Sequence, residues 1–246
     1  VDPLLGMADS AKTDYDAKGY FERAISIAQQ QDKPLLVADV KTLAFQALSN
    51  TPLYTKAVKQ YAFDAYDIYK KALPENALAR VKATYTLGAV QYAHKQYDEA
   101  EPLLVEVIKQ FDALDYTHPY ALTSHAYLVE IYEQLDDRDK STQHCVAIGS
   151  MQPWKDSQEQ TPIFRVNPDY PMSYVKRGKS GWVEVEFTVD ESGFVTEPVV
   201  LQSEGGSLFE KETIKTLEKW RYAPKFEGGK PVAAKSKVRL DYSIAP

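Results

Sequence analysis

The residues of this chain that could carry covalent or metal chemistry are few, and their spacing argues against both. His94, His118, His125 and His144 include no His-x-x-x-His pair with a glutamate, the spacing that sets two imidazoles on one helical face around zinc, so no metal ligand set is expected. Cys145 is the only cysteine, which excludes an intramolecular disulfide and a cysteine-based zinc site. With Val146, Ala147 and Ile148 beside it, it reads as a small buried apolar side chain rather than a reactive thiol. Asp136, Asp137 and Asp139 lack the glycine at the sharp turn of a calcium loop and read as solvated charges. Gly228-Gly229-Lys230 has neither the upstream glycine nor the following Ser/Thr of a phosphate loop. Lys179-Ser180-Gly181 has no Gly-x-Ser-x-Gly pattern and no preceding strand to make it a nucleophile elbow. The chain is therefore expected not to be an enzyme and to need no cofactor.

Composition narrows the remaining classes. With 246 residues, 44% hydrophobic and 26% charged, the chain can bury a real core and is long enough for two modest domains. The charge is uneven: residues 1–162 carry 16 Lys+Arg against 23 Asp+Glu, net −7, and residues 163–246 carry 13 against 12, net +1. Neither part has the basic stripe of a nucleic-acid binder. The apolar stretch from Leu35 to Leu48 is interrupted by Asp39, Lys41 and Gln46, so nothing approaches the roughly 20 apolar residues that span a bilayer. The chain opens on Val1 with no basic-then-apolar leader, so a signal or anchor is expected to have been cleaved or to precede it.

Two hydrophobic periods divide the sequence. Residues 1–151 are rich in helix formers, and apolar residues recur three and four apart, as in Leu87, Val90 and Leu103, Val107, which predicts an all-α domain. An aromatic three residues before an alanine recurs at Phe21–Ala24, Tyr54–Ala57 and Tyr97–Ala100, the alanines lying 33 and then 43 residues apart. A weaker fourth copy, 41 residues on, has Ser141 in the alanine's place and Arg138 in the aromatic's. The unit that pairs Leu87-Gly88 with Tyr97 and Ala100 resembles a tetratricopeptide repeat, in which small residues sit where two helices cross and large ones fill the space between pairs. An ordinary helical bundle is the alternative. Residues 152–162, with two prolines and little apolar content, read as a linker on which Trp154 docks back to a domain.

From residue 163 the period becomes two. In the strand predicted over 182–189, Val183, Val185, Phe187 and Val189 face one way and Trp182, Glu184, Glu186 and Thr188 the other. Asp190, Glu191, Ser192 and Gly193 supply a turn into a second strand over 194–202, where Pro198, having no N–H to donate, points to a sheet edge. Ser207 with Glu210 reads as a capping box opening a helix with Phe209, Thr213, Leu217 and Trp220 on one face, stopped by Pro224. The final strand alternates Ser236, Val238, Leu240, Tyr242 and Ile244 with Lys235, Lys237, Arg239, Asp241 and Ser243. The expected order, strand-strand-helix-strand, makes a small α+β domain with a three-stranded antiparallel sheet.

In this last third the chain resembles the C-terminal domain of TonB energy transducers. The resemblance rests on Tyr170-Pro171, Gly181, Phe187-Thr188-Val189 with Asp190 and Gly193, Val195, Ser203, Phe209, Trp220-Arg221-Tyr222-Ala223-Pro224 and Gly229-Lys230-Pro231-Val232. It implies a periplasmic domain, tethered to the inner membrane by a segment absent from this chain. That domain would bind the TonB box, a short extended segment of TonB-dependent outer-membrane receptors, by pairing it with the final strand. Residues Lys235, Lys237, Val238, Arg239, Leu240, Asp241 and Tyr242 correspond to that strand, and Arg165 and Asn167 to the family's contact region ahead of the first one. A bare sheet edge offers unpaired N–H and C=O groups that an added strand satisfies. The three cations would favour acidic peptide residues, and they also discourage edge aggregation.

The resemblance further implies coupling to the inner-membrane motor proteins ExbB and ExbD and import of iron complexes or vitamin B12. The repeats would then dock the motor or another periplasmic protein. The chain departs from the family in lacking the membrane anchor and proline-rich spacer and in carrying helical repeats instead. The alternative is an envelope scaffold that uses both domains for protein–protein interaction without energy coupling.

Overall fold

The computed structural model describes residues 1–112, 117–151 and 160–244. The chain forms two compact units, Val1–Ser124 and His125–Pro246. Residues 152–159, which make up most of the expected linker and include Trp154, lie outside those described.

The first unit is helical: α1 (Asp2–Asp9), α2 (Asp14–Gln30), α3 (Pro34–Leu48), α4 (Lys56–Ala72), α5 (Leu78–Ala93), α6 (Tyr97–Phe111) and the opening of α7 (Pro119–Gln134). Local chemistry sets several starts. Thr13 caps α2 by accepting from Asp16 N–H at 3.1 Å, Thr55 caps α4 from Val58 N–H at 3.4 Å, and a proline lies in the first turn of α1 and of α3. Phe21, Ala24 and Ile25 of α2 pack on Val40, Ala44 and Phe45 of α3 and Val58 and Ala62 of α4. A second cluster joins Ala38, Ala65, Tyr66, Tyr69, Ala83 and Leu87.

The repeat signature is kept unevenly. Ala24 and Ala100 are fully buried, and a Cβ on Gly88 would lie 3.0 Å from Leu104 Cδ2, so α5 and α6 cross closely there. Tyr54 and Ala57, by contrast, are exposed. Because α4 begins only at Lys56, Ala57 sits in its first turn, and Val58, Ala62 and Ala65 take the buried face. No helix among the described residues is long and apolar enough to cross a membrane.

The second unit contains α7 from His125 onward, α8 (Arg138–Met151), β1 (Pro162–Phe164), α9 (Met172–Val175), β2 (Gly181–Val189), β3 (Val195–Glu204), α10 (Ser207–Leu217), β4 (Arg221–Tyr222), β5 (Lys225–Glu227), β6 (Lys230–Val232) and β7 (Ala234–Tyr242). The main sheet is antiparallel in the order β3-β2-β7. Val183, Val185, Phe187 and Val189 of β2 are at most 1% exposed and form its core with Phe209, Leu217, Trp220, Tyr222 and Tyr242. In the β2–β3 turn Asp190 Oδ1 accepts from Ser192 and Phe194 N–H, each at 2.9 Å. Gly193 there has φ +84° and lies so near Tyr222 O that a Cβ would reach 2.2 Å.

Two expectations are corrected, and two short strand pairs are new. Gly206, at φ +122°, caps α10 with no side-chain bond, and Glu210 instead accepts from Ser203 Oγ at 2.5 Å, so the capping box does not form. The helix ends at Leu217, and Trp220 is buried beyond it, its Nε1 donating to Val166 O at 2.9 Å. The pairs β1–β4 and β5–β6 were not expected, because strands of two or three residues are too short to show alternation.

Candidate functional site

The sheet has two edges, and they are built differently. β3 is irregular: its register against β2 shifts twice, Glu197 sits at φ +51°, and Pro198 offers no N–H. Such features blunt an edge against further pairing. β7 pairs with β2 in unbroken register over nine residues, from Val189↔Ala234 to Gly181↔Tyr242, and carries neither proline nor bulge. Its far side pairs with no strand among the described residues. Every second residue of β7 therefore turns its backbone N–H and C=O away from β2, a ready row of donors and acceptors.

The faces of β7 are as the alternation predicts. Val238 and Leu240 are half-buried against the core, and Tyr242 is buried, its hydroxyl 2.8 Å from Thr213 Oγ1 and its ring stacked on Phe209 at 4.3 Å. Lys235, Lys237, Arg239 and Asp241 face solvent. Lys235 Nζ donates to Glu186 Oε1 at 2.6 Å, and this carboxylate raises the pKa of the exposed ammonium. Arg239 meets Asp241 Oδ1 at 2.9 Å and lies 4.2 Å over the Trp182 ring. The Lys237 side chain makes no ion pair or hydrogen bond among the described residues.

The structure brings seven of the nine expected site residues onto one strand. Arg165 and Asn167 are exposed, on either side of Val166, whose carbonyl accepts from Trp220 Nε1. Arg165 acts on the Tyr222 phenol, opposing the upward shift that burial causes. The same segment meets β7 through Tyr170, whose ring lies edge-on to Tyr242 at 5.8 Å.

A second constellation, around Arg221, was legible only as one letter of the Trp220–Pro224 run. The Arg221 side chain is 1% exposed and forms an ion pair with Glu133 Oε1 of α7 at 2.5 Å. It donates to Ser141 Oγ at 3.2 Å, Thr142 Oγ1 at 2.8 Å and Ser192 O at 3.0 Å, and its guanidinium lies 3.7 Å over the Phe194 ring. Ser141 Oγ in turn donates to Glu133 at 2.6 Å, and the Arg138 guanidinium lies 5.9 Å from the Phe194 ring centroid. Beside this constellation Cys145 is fully buried, and burial pushes its thiol up to about 11. His125 and His144 also meet, Nδ1 to Nδ1 at 2.7 Å, and burial followed by the His125 charge holds His144 down at about 4.

Residues 166–244 match the family model described as Gram-negative bacterial TonB protein C-terminal. Protein TonB of Pseudomonas aeruginosa is 36% identical over 83 residues, 34% of this chain and 24% of that protein. The chain thus covers about a quarter of that relative's length. The solution structure of the Pseudomonas aeruginosa TonB C-terminal domain aligns at 30% identity over 37% of this chain and 92% of that one, with a TM-score of 0.33. The crystal structure of the tetratricopeptide-like repeats of a putative kinesin light chain from Podosopora anserina aligns at 16% identity over 61% of this chain and 72% of that one, with a TM-score of 0.51. This likeness concerns fold alone. The chain joins a tetratricopeptide-like helical part to a TonB-type C-terminal domain.

Proposed function

We propose that β7 takes an extended segment of an outer-membrane receptor, a TonB box, as an added strand, and that through this contact a periplasmic protein helps energise import of iron complexes or similar nutrients. The observation that carries this reading is the asymmetry of the sheet: one edge broken by Pro198 and two register shifts, the other regular over nine residues and unpaired. A strand laid on β7 would make several backbone hydrogen bonds, each contributing a net of about 0.5–1.5 kcal/mol. The seven β7 residues together with Arg165 and Asn167 form the proposed peptide site. The match of residues 166–244 to the TonB C-terminal family supports the choice of partner. The helical repeats would dock an ExbB/ExbD-type motor or a second periplasmic protein, and residues 152–162 would link the two domains.

The test is a TROSY titration of the whole chain with TonB-box peptides from receptors of the same genome. Amide shifts concentrated in residues 234–242 are the expected result. Their absence with every box peptide would refute strand addition and leave the envelope-scaffold reading, in which the repeats and the C-terminal domain bind other proteins without energy coupling.

A further inference from the structure

The bare edge of β7 also carries a charge preference seated in one side chain, an inference that rests on the strand-addition reading above. Two of the three cations on its solvent face are already engaged within the chain. Lys235 holds Glu186, and Arg239 is held between Asp241 and the Trp182 ring. Trp182 is fixed in turn by its Nε1, which donates to Glu204 Oε2 at 3.1 Å. Lys237 stands between them on the same face. Its cross-strand neighbour is Glu186, the carboxylate that Lys235 already occupies. On the opposite face Val238 and Leu240 are only half-buried, so the core presents an apolar rim at this edge.

A strand added to β7 places alternate side chains on these two faces. We propose that Lys237 is the specificity-determining residue of the edge. It selects an extended peptide with an acidic residue on the solvent face and apolar residues at alternate positions against Val238 and Leu240. An acidic side chain opposite Lys237 meets a cation with no bond of its own to surrender. A basic one meets like charge directly across the strand, which is destabilising. Lys235 and Arg239 select more weakly, because Glu186 and Asp241 already offset part of their charge.

The test uses the whole chain and synthetic peptides of alternating valine and threonine, flanked by glycine and serine for solubility. One central threonine is replaced by Glu, Gln or Lys. Fluorescence anisotropy reads affinity, and the amides of residues 234–242 report where each peptide sits. The Glu peptide should bind about two- to fivefold more tightly than the Gln peptide, and the Lys peptide more weakly than either. Lys237→Gln should erase this ranking, Lys237→Glu should invert it, and added salt should narrow it in the unaltered chain. Equal affinity for all three peptides, with the β7 amides shifting, would overturn charge selection by Lys237 and leave strand addition standing. Persistence of the ranking in Lys237→Gln would overturn it as well. If no peptide moves the β7 amides, strand addition fails and the role of Lys237 falls with it.

Discussion

Arg221 and Glu133, with side chains only 1% and 6% exposed, form a desolvated ion pair in the second unit. Exchanging either partner alone leaves the other charge buried without its counter-charge, a loss of about 3–5 kcal/mol. Glu133→Gln keeps an amide in place of the carboxylate and belongs at the lower end, near 3 kcal/mol. Arg221→Met also forfeits the bonds to Ser141, Thr142 and Ser192 O and the stacking on Phe194, and belongs at the upper end. The double exchange removes both charges, so it should cost less than the sum of the two by on the order of 2 kcal/mol. Urea denaturation followed by tryptophan fluorescence reads this cleanly, because Trp154, Trp182 and Trp220 all lie after residue 124 and the signal follows the second unit. With an m-value of about 1.5 kcal/mol per M, a 3 kcal/mol loss lowers the midpoint by about 2 M. A shift worth under about 1 kcal/mol for either single exchange, or additivity in the double, would refute the idea that a desolvated charge pair joins α7 and α8 to the strands.

Four further outcomes are expected. Gly149→Ala should destabilise the second unit by about 1–3 kcal/mol in the same urea assay, since its Cβ would fall 2.5 Å from the Pro224 carbonyl. Gly88→Ala should cost less, because its nearest neighbour is the end of the flexible Leu104 side chain. Cys145 should resist alkylation by iodoacetamide at pH 8 in the folded chain and react on unfolding, its thiol being buried and titrating only near 11. His144 titrates near 4 when folded and near 6.5 when unfolded, so between these values the unfolded chain binds the proton first and stability falls as pH is lowered. The drop in urea midpoint from pH 7 to pH 5 should therefore be smaller in His144→Phe than in the unaltered chain, and an equal drop would refute this account.

Local pattern carried a large share of the fold. The change of hydrophobic period after residue 162 follows from chain geometry, because a helix brings every third or fourth residue to one face and a strand every second. The buried face of β2, the Asp190–Gly193 turn and the alternation of β7 needed no tertiary information. The start of α10 at Ser207 was legible but its cap was misread, because Ser203 takes Glu210, and the Tyr54–Ala57 copy lies exposed because α4 opens only at the Thr55 cap.

Residues 235–242 were placed on one strand by their spacing alone, yet their order says nothing of which side of that strand β2 would occupy, nor that Lys235 and Arg239 would be engaged while Lys237 was not. The socket for Arg221 lay further from view, since its partners on α7 and α8 come from 79 to 88 residues away. The sequence by itself determined helices, strands and faces, each a matter of nearest neighbours along the chain. Tertiary structure alone decided which edge stays bare and which charges are satisfied, because cross-strand register and buried ion pairs form between segments with no spacing rule to link them.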